Sequence, residues 1–120
     1  MLPVISEIDH NELGQIIVNQ KDHHTKFLSV WLKRLKIIKE KDISKKIVRL
    51  NSLVVFWNAF LKKIVRLRIV PPDKQNLSTR QISVLSPISM ALMGHKEKDN
   101  LIMSVPGVEK KLRILRVIND

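Results

Sequence analysis

Apolar residues recur at helical spacing in the first third of the chain and at strand spacing through most of the rest. From Asp9 to Asn19 the residues Leu13, Ile16 and Ile17 form one stripe, and Asp9 with Glu12 three residues on has the form of a capping box. The segment QKDHH, from Gln20 to His24, breaks the pattern. From Thr25 to about Lys39 it resumes, with Phe27, Trp31, Leu35 and Ile38 at helical spacing and Leu28 and Leu32 widening the stripe. Two amphipathic helices joined by a short polar break predict an antiparallel helical hairpin. Asp42 and Ser44 mark its exit.

From Ile47 the period shortens. Val48, Leu50, Val54 and Phe56 predict one strand. In Ile64–Val70, Arg66 and Arg68 alternate with Val65, Leu67 and Ile69, the pattern of a half-buried strand with its basic residues outward. The connection NAFLKK, Asn58 to Lys63, lacks the glycine that suits a tight hairpin, and it carries the apolar pair Phe60 and Leu61. Pro71-Pro72 ends the second strand. Two further strands are expected at Asn100–Val105 and Glu109–Ile118, joined by a Pro106-Gly107 turn, with Leu112, Ile114, Leu115 and Val117 as the inward set of the last. The element order αα-ββ-β-α-β-β predicts an α+β fold with an antiparallel sheet.

Between these strands, Ile82 to Gly94 reads ISVLSPISMALMG. Ile82, Val84 and Leu85 favour a strand. Ser86 is a natural N-cap, and Pro87 suits the first helical position, where its missing N–H costs nothing. Ile88, Ala91 and Leu92 share a helical face, and Gly94 suits the left-handed close.

The chain has 120 residues and a net charge of +11, from 22 Lys/Arg against 11 Asp/Glu. Between residues 33 and 49 lie Lys33, Arg34, Lys36, Lys39, Lys41, Lys45, Lys46 and Arg49 against Glu40 and Asp42. Such a field attracts polyanions, and it also describes an ordinary solvated helix face. There is no cysteine, hence no disulfide or thiolate metal site. The N-terminus has no basic, apolar leader, and no uncharged stretch is long enough for a bilayer. The expectation is a cytoplasmic protein with no membrane contact.

The wording of the central segment resembles the C-terminal domain of the bacterial Gre transcript-cleavage factors and of the related regulator of nucleoside diphosphate kinase, Rnk. That family carries a pattern close to I-S-x-x-S-P-x-x-x-A-L-x-G, then a Gly-Asp turn and a Pro-x-Gly or Pro-Gly turn. Ile82, Ser83, Ser86, Pro87, Ala91, Leu92, Gly94, Asp99, Pro106 and Gly107 match it. Lys98 stands where the family usually has glycine, and Ser89 where many members do. KKIVRLNSLVVFWN, Lys45 to Asn58, looks like the strand entry of the Rnk branch. The resemblance implies a short coiled-coil hairpin in residues 1–44. Residues 45–120 would then be an FKBP-like domain, its antiparallel sheet wrapped around one short helix. It further implies a monomeric transcription factor that binds RNA polymerase near the secondary channel and modulates elongation. The motif around Ser83, Ser86 and Pro87 would belong to the docking domain. Asp22, His23, Phe60 and Leu61 are the other candidate contacts, Phe60 and Leu61 as an apolar pair in a loop.

The chemistry of a cleavage factor is metal-assisted hydrolysis, which needs carboxylates to fix a cation. The tip QKDHH has the single carboxylate Asp22 with Lys21 beside it, a poor site for a hard cation. His23 and His24 are adjacent, and zinc wants three or four converging ligands, so they read as surface histidines. An FKBP-like fold raises prolyl isomerase activity, but three Phe, two Trp and no Tyr are too few to line its aromatic pocket. No catalytic set or phosphate loop is evident, and Ser83 and Ser86 read as turn and capping residues. The expectation is a protein that is not an enzyme and takes no cofactor. The alternative is a basic protein that binds nucleic acid non-specifically, using Lys33 and Lys36 on the helix and Arg66, Arg68, Arg113 and Arg116 on the sheet. Trp57 and Phe60 are then the available stacking groups.

Overall fold

Ser6, not Asp9, starts the first helix. In the computed structural model, which describes residues 3–20, 25–105 and 108–119, a short strand β1 (Val4–Ser6) leads directly into α1 (Glu7–Val18). The Ser6 hydroxyl accepts from the Asp9 amide at 3.1 Å. Asp9 is therefore at the third helical position, and its side chain is buried. Helix α2 (Thr25–Lys33) follows and packs against α1. It ends six residues before the Lys39 that periodicity suggests. Lys36–Ile38 instead forms β2, which pairs in parallel with β1 through Val4–Lys36, Ile5–Ile37 and Ser6–Ile38. The apolar stripe continues past Lys33, but β1 offers the backbone a ladder in place of another helical turn.

The main sheet has five strands in the order β5-β4-β3-β7-β6. These are β3 (Leu53–Asn58), β4 (Lys63–Val70), β5 (Gln81–Ser83), β6 (Asn100–Val105) and β7 (Val108–Ile118). Between β5 and β6 lies α3 (Pro87–Leu92). The sheet is not wholly antiparallel, because β5 runs parallel to β4, Arg68 opposite Gln81 and Val70 opposite Ser83. The first strand is also shorter than its apolar residues suggest. Val48 and Leu50 are buried, but they precede β3 in a turn in which Asn51 takes φ 74°.

The inner face of the sheet, including Val54, Phe56, Ile69, Leu112 and Ile114, shares one buried cluster with Ile5, Leu13 and Leu32 of the N-terminal elements and Leu92 and Met93 around α3. In β7 alternation fails at Leu115. The register shifts between Val55 and Phe56, which face Arg116 and Ile114, so Leu115 is a bulged residue. Val117 thereby returns to the core while Leu115 stays 37 % exposed, against the expectation for Leu115.

Four residues, Ala59 to Lys62, join β3 to β4 without glycine. Asn58 Oδ1 accepts from the Phe60 amide at 3.0 Å and the Leu61 amide at 3.1 Å. Lys62 takes the left-handed conformation, φ 55°. The asparagine side chain thus builds the turn that a glycine would have eased.

Candidate functional site

The segment Ile82–Gly94 is held by side-chain hydrogen bonds to its backbone, one of them from outside the segment. Gln75 Oε1 accepts from the Ser83 amide at 3.0 Å, and Ser83 Oγ accepts from Leu85 at 3.1 Å. Ser86 Oγ accepts from the Ser89 amide at 3.3 Å and donates to Ser89 Oγ at 2.9 Å. Ser89 is wholly buried, so this departure from the family pattern serves as an acceptor for the capping hydroxyl. Both Ser83 and Ser86 are engaged as turn and cap. Pro87 opens α3 and is exposed, while Leu92 is fully buried.

Gly94 closes the segment at φ +81°. Its amide donates to Val48 at 2.9 Å, and its carbonyl accepts from Val4 at 3.1 Å. The N-terminal strand therefore crosses the end of the motif at backbone contact. Lys98, in the turn before β6, also has positive φ, 78°, and Asp99 Oδ2 accepts from the Lys96 amide at 2.9 Å. The glycine that the family usually has at Lys98 would suit that conformation.

A second polar centre ties the helices to the sheet domain. Arg49 Nε donates to Asp9 Oδ2 at 2.9 Å, and its Nη2 reaches Ser6 Oγ at 2.9 Å and Glu40 Oε1 at 3.0 Å. Arg49 Nη1 lies 2.7 Å from Glu40 Oε2. The hydrogen bond from Arg49, with a smaller one from Ser6, holds the Glu40 carboxyl below its ordinary range, and the bond to Asp9 raises the guanidinium further. Among the described residues every buried side-chain N and O has a partner.

The candidate residues do not converge. Phe60 and Leu61 sit at the tip of the β3–β4 loop, 55 % and 51 % exposed. Ser83, Ser86 and Pro87 lie beyond the far end of β4, where Val70 pairs with Ser83. The eight residues of β4 separate the two groups by about 23 Å at ~3.3 Å per residue. Lys33 ends α2 and Lys36 lies on β2, both exposed, whereas Arg66 and Arg68 project from the open face of β4. The helix and sheet cations therefore belong to different elements. Arg68 Nη1 donates to the Asn51 carbonyl at 2.7 Å. Asp22 and His23, with His24 and the Pro106-Gly107 turn, lie outside the described residues. Among those described, no group of three or more His, Asp or Glu converges as a metal site, and no helix is long and apolar enough to cross a membrane.

On the open face, Trp57 and Arg113 line one cleft with Lys111, which strand alternation also turns outward, and with Asn100, which sequence reasoning missed. Cross-strand register joins these residues, and no local pattern reports it.

A five-stranded mixed sheet with a Ser-Pro-capped helix before its last two strands is the frame on which the family match falls. Residues 43–119 match the family described as transcription elongation factor, GreA/GreB, C-term, and the chain belongs to that family. It is 29 % identical over 97 residues to transcription elongation factor GreB of Pseudomonas aeruginosa, covering 81 % of this chain and 57 % of that protein. It is 29 % identical over 91 residues to the regulator of nucleoside diphosphate kinase of Escherichia coli, covering 75 % and 67 %. The chain thus spans little more than half the length of the GreB relative. Among solved structures, the prokaryotic transcription elongation factor GreA/GreB from Nitrosomonas europaea is similar over 99 % of both chains, with TM-score 0.76 and 25 % identity.

Proposed function

We propose that this chain binds RNA polymerase near its secondary channel and modulates transcription without catalysis of its own. The observation that carries the reading is the family match over residues 43–119, supported by a Gre-type structural relative that is similar over nearly the whole chain. In this reading residues 45–120 form an FKBP-like docking domain, and residues 1–44 form a short hairpin aimed at the channel. The protein acts as a cytoplasmic monomer. Helices of 12 and 9 residues extend about 18 and 13 Å at ~1.5 Å per residue. That reach is short for a coiled coil meant to enter a channel. Its tip offers one carboxylate, Asp22, where a hard cation wants more. Docking without delivery of a metal ligand is the consequence.

The test is a backtracked elongation complex, incubated with the protein alone and with a Gre factor. The protein alone yields no cleavage product, and at saturation it suppresses Gre-stimulated cleavage by occupying the same rim. Cleavage by the protein alone that is lost in Asp22→Ala overturns the non-catalytic reading. Unchanged Gre-stimulated cleavage overturns shared docking.

A further inference from the structure

The open face of the sheet carries a constellation separate from both ends of the docking domain. β3 is the middle strand, and Trp57 projects from it away from the core, 38 % exposed. Register places Ile64 of β4 on one side of the indole and Arg113 of β7 on the other. Arg113 faces Asn100 of β6, and its Nη1 donates to Asn100 Oδ1 at 3.4 Å. Trp57, Asn100, Lys111 and Arg113, with Ile102 at the margin, line an open cleft of about 430 Å³. Two residues along β3, Val55 lies between Arg66 and Arg116. In all, the five strands carry seven Lys/Arg (Lys63, Arg66, Arg68, Lys110, Lys111, Arg113 and Arg116) and one carboxylate, Glu109.

The chemistry of this face selects among occupants. The core of a protein–protein interface is depleted of charge, and here cations surround the one large aromatic. Duplex nucleic acid hides the faces of its bases, so it would leave the indole unused. A single strand offers both features the face lacks, an unstacked base for the indole and phosphates for the arginines. Asn100 adds a side-chain amide, which both donates and accepts at a base edge. Unpaired RNA bases are commonly read in this way, stacked on aromatic side chains of an exposed sheet with their edges hydrogen-bonded. We propose that the open face binds single-stranded RNA, with one base stacked on Trp57 against Asn100 and the flanking phosphates on Arg113, Arg66 and Arg116. This site stands on its own residues and holds whether or not the chain docks on polymerase.

The test uses the full chain and a fluorescently labelled 12-nucleotide single-stranded RNA of mixed sequence. Binding is followed by anisotropy over a range of salt, beside the same sequence as single-stranded DNA and as duplex RNA. Single-stranded RNA is bound most tightly. Trp57→Ala weakens it about thirtyfold, the middle of the ~1–3 kcal/mol typical of a base–aromatic stack, while Trp57→Phe retains most of the affinity. Arg113→Ala weakens binding and lowers the slope of log K against log salt by about 0.7. Lys41→Ala, the same charge change on the exposed residue of another element, leaves the preference for RNA over duplex intact. Equal affinity of Trp57→Ala and the parent overturns the proposal, as does equal or tighter binding of the DNA strand or the duplex, or no binding of the RNA at low salt.

Discussion

The Val4 carbonyl oxygen lies 2.6 Å from the point where a Cβ on Gly94 would stand, and the Val4 amide donates to the Gly94 carbonyl at 3.1 Å. The Pro3 side chain and the Val4 nitrogen lie at 2.9 Å from the same point. Gly94 is thus fixed twice, by φ +81° and by the strand that crosses it. Gly94→Ala combines left-handed strain with a clash against backbone, which shifts less cheaply than the end of a flexible side chain. The expected loss is about 2–4 kcal/mol, read as a lower urea midpoint. A loss under about 1 kcal/mol would show that β1 is not held at this crossing.

Lys98 presents the opposite case. It adopts φ 78° with a side chain that disfavours that region, and its amide donates to Ile114 at 2.8 Å, which keeps the turn in place. Lys98→Gly removes the steric cost and adds some freedom to the unfolded chain. The net expectation is a gain of about 0.5–1 kcal/mol in urea unfolding. A destabilised variant would mean that the lysine contributes more than its backbone costs.

Arg49 is shared between unequal partners. The Asp9 side chain is 8 % exposed and Glu40's is 37 %. Arg49→Ala leaves Asp9 buried without its cation, and the expected loss is about 3 kcal/mol, the low end for a broken buried pair because Arg49 keeps some solvent contact. Glu40→Gln keeps a hydrogen-bonding side chain near the surface and costs about 1 kcal/mol or less. Equal losses from the two variants would refute the ranking.

His95 makes stability depend on pH. Burial pushes its pKa below the usual 6.5, against the smaller opposing pull of Asp99, whose Oδ2 lies 3.6 Å from Nδ1. The unfolded chain therefore binds its proton first as pH falls. The contribution is fully present above about 6.5 and is lost as pH drops through the lower folded value. Urea unfolding at pH 7.5 and 5.5 should show a smaller difference for His95→Gln than for the parent. An unchanged difference would place the acid sensitivity on other groups.

What the sequence made legible follows the range of the interactions. The Ser86 cap, Pro87 and Gly94 lie within nine residues of chain, and the capped helix stands where they place it. The second helix overshoots because its stop is a parallel pairing with Val4–Ser6, some thirty residues earlier. The cap at Asp9 was misplaced because Ser6-x-x-Asp9 and Asp9-x-x-Glu12 have the same local form, and the choice between them rests on Arg49, distant in sequence. Leu115 looks like a core residue until a bulge in the pairing with β3 turns it out. The separation of Phe60 from Ser86 depends on β5 joining β4 in parallel, which residue types do not encode.

The loop tip remains the sharpest test of polymerase docking. Phe60 and Leu61 are exposed, but their turn is built by Asn58 through backbone amides, so their side chains can change without unmaking it. The ammonium of Lys110 lies 4.9 Å from the Phe60 ring centroid, an interaction worth about 0.5–1 kcal/mol at an exposed site. The double variant Phe60→Ser, Leu61→Ser should therefore unfold within about 1 kcal/mol of the parent. If the tip is a contact in the proposed complex, its affinity for polymerase falls about tenfold or more, as for loss of an apolar anchor. Surface plasmon resonance with immobilised polymerase reads both proteins, with urea unfolding as the control for folding. Parent and variant binding alike would remove the tip from the interface while leaving the Ser83–Pro87 end in play, and no binding by the parent would remove the polymerase reading itself.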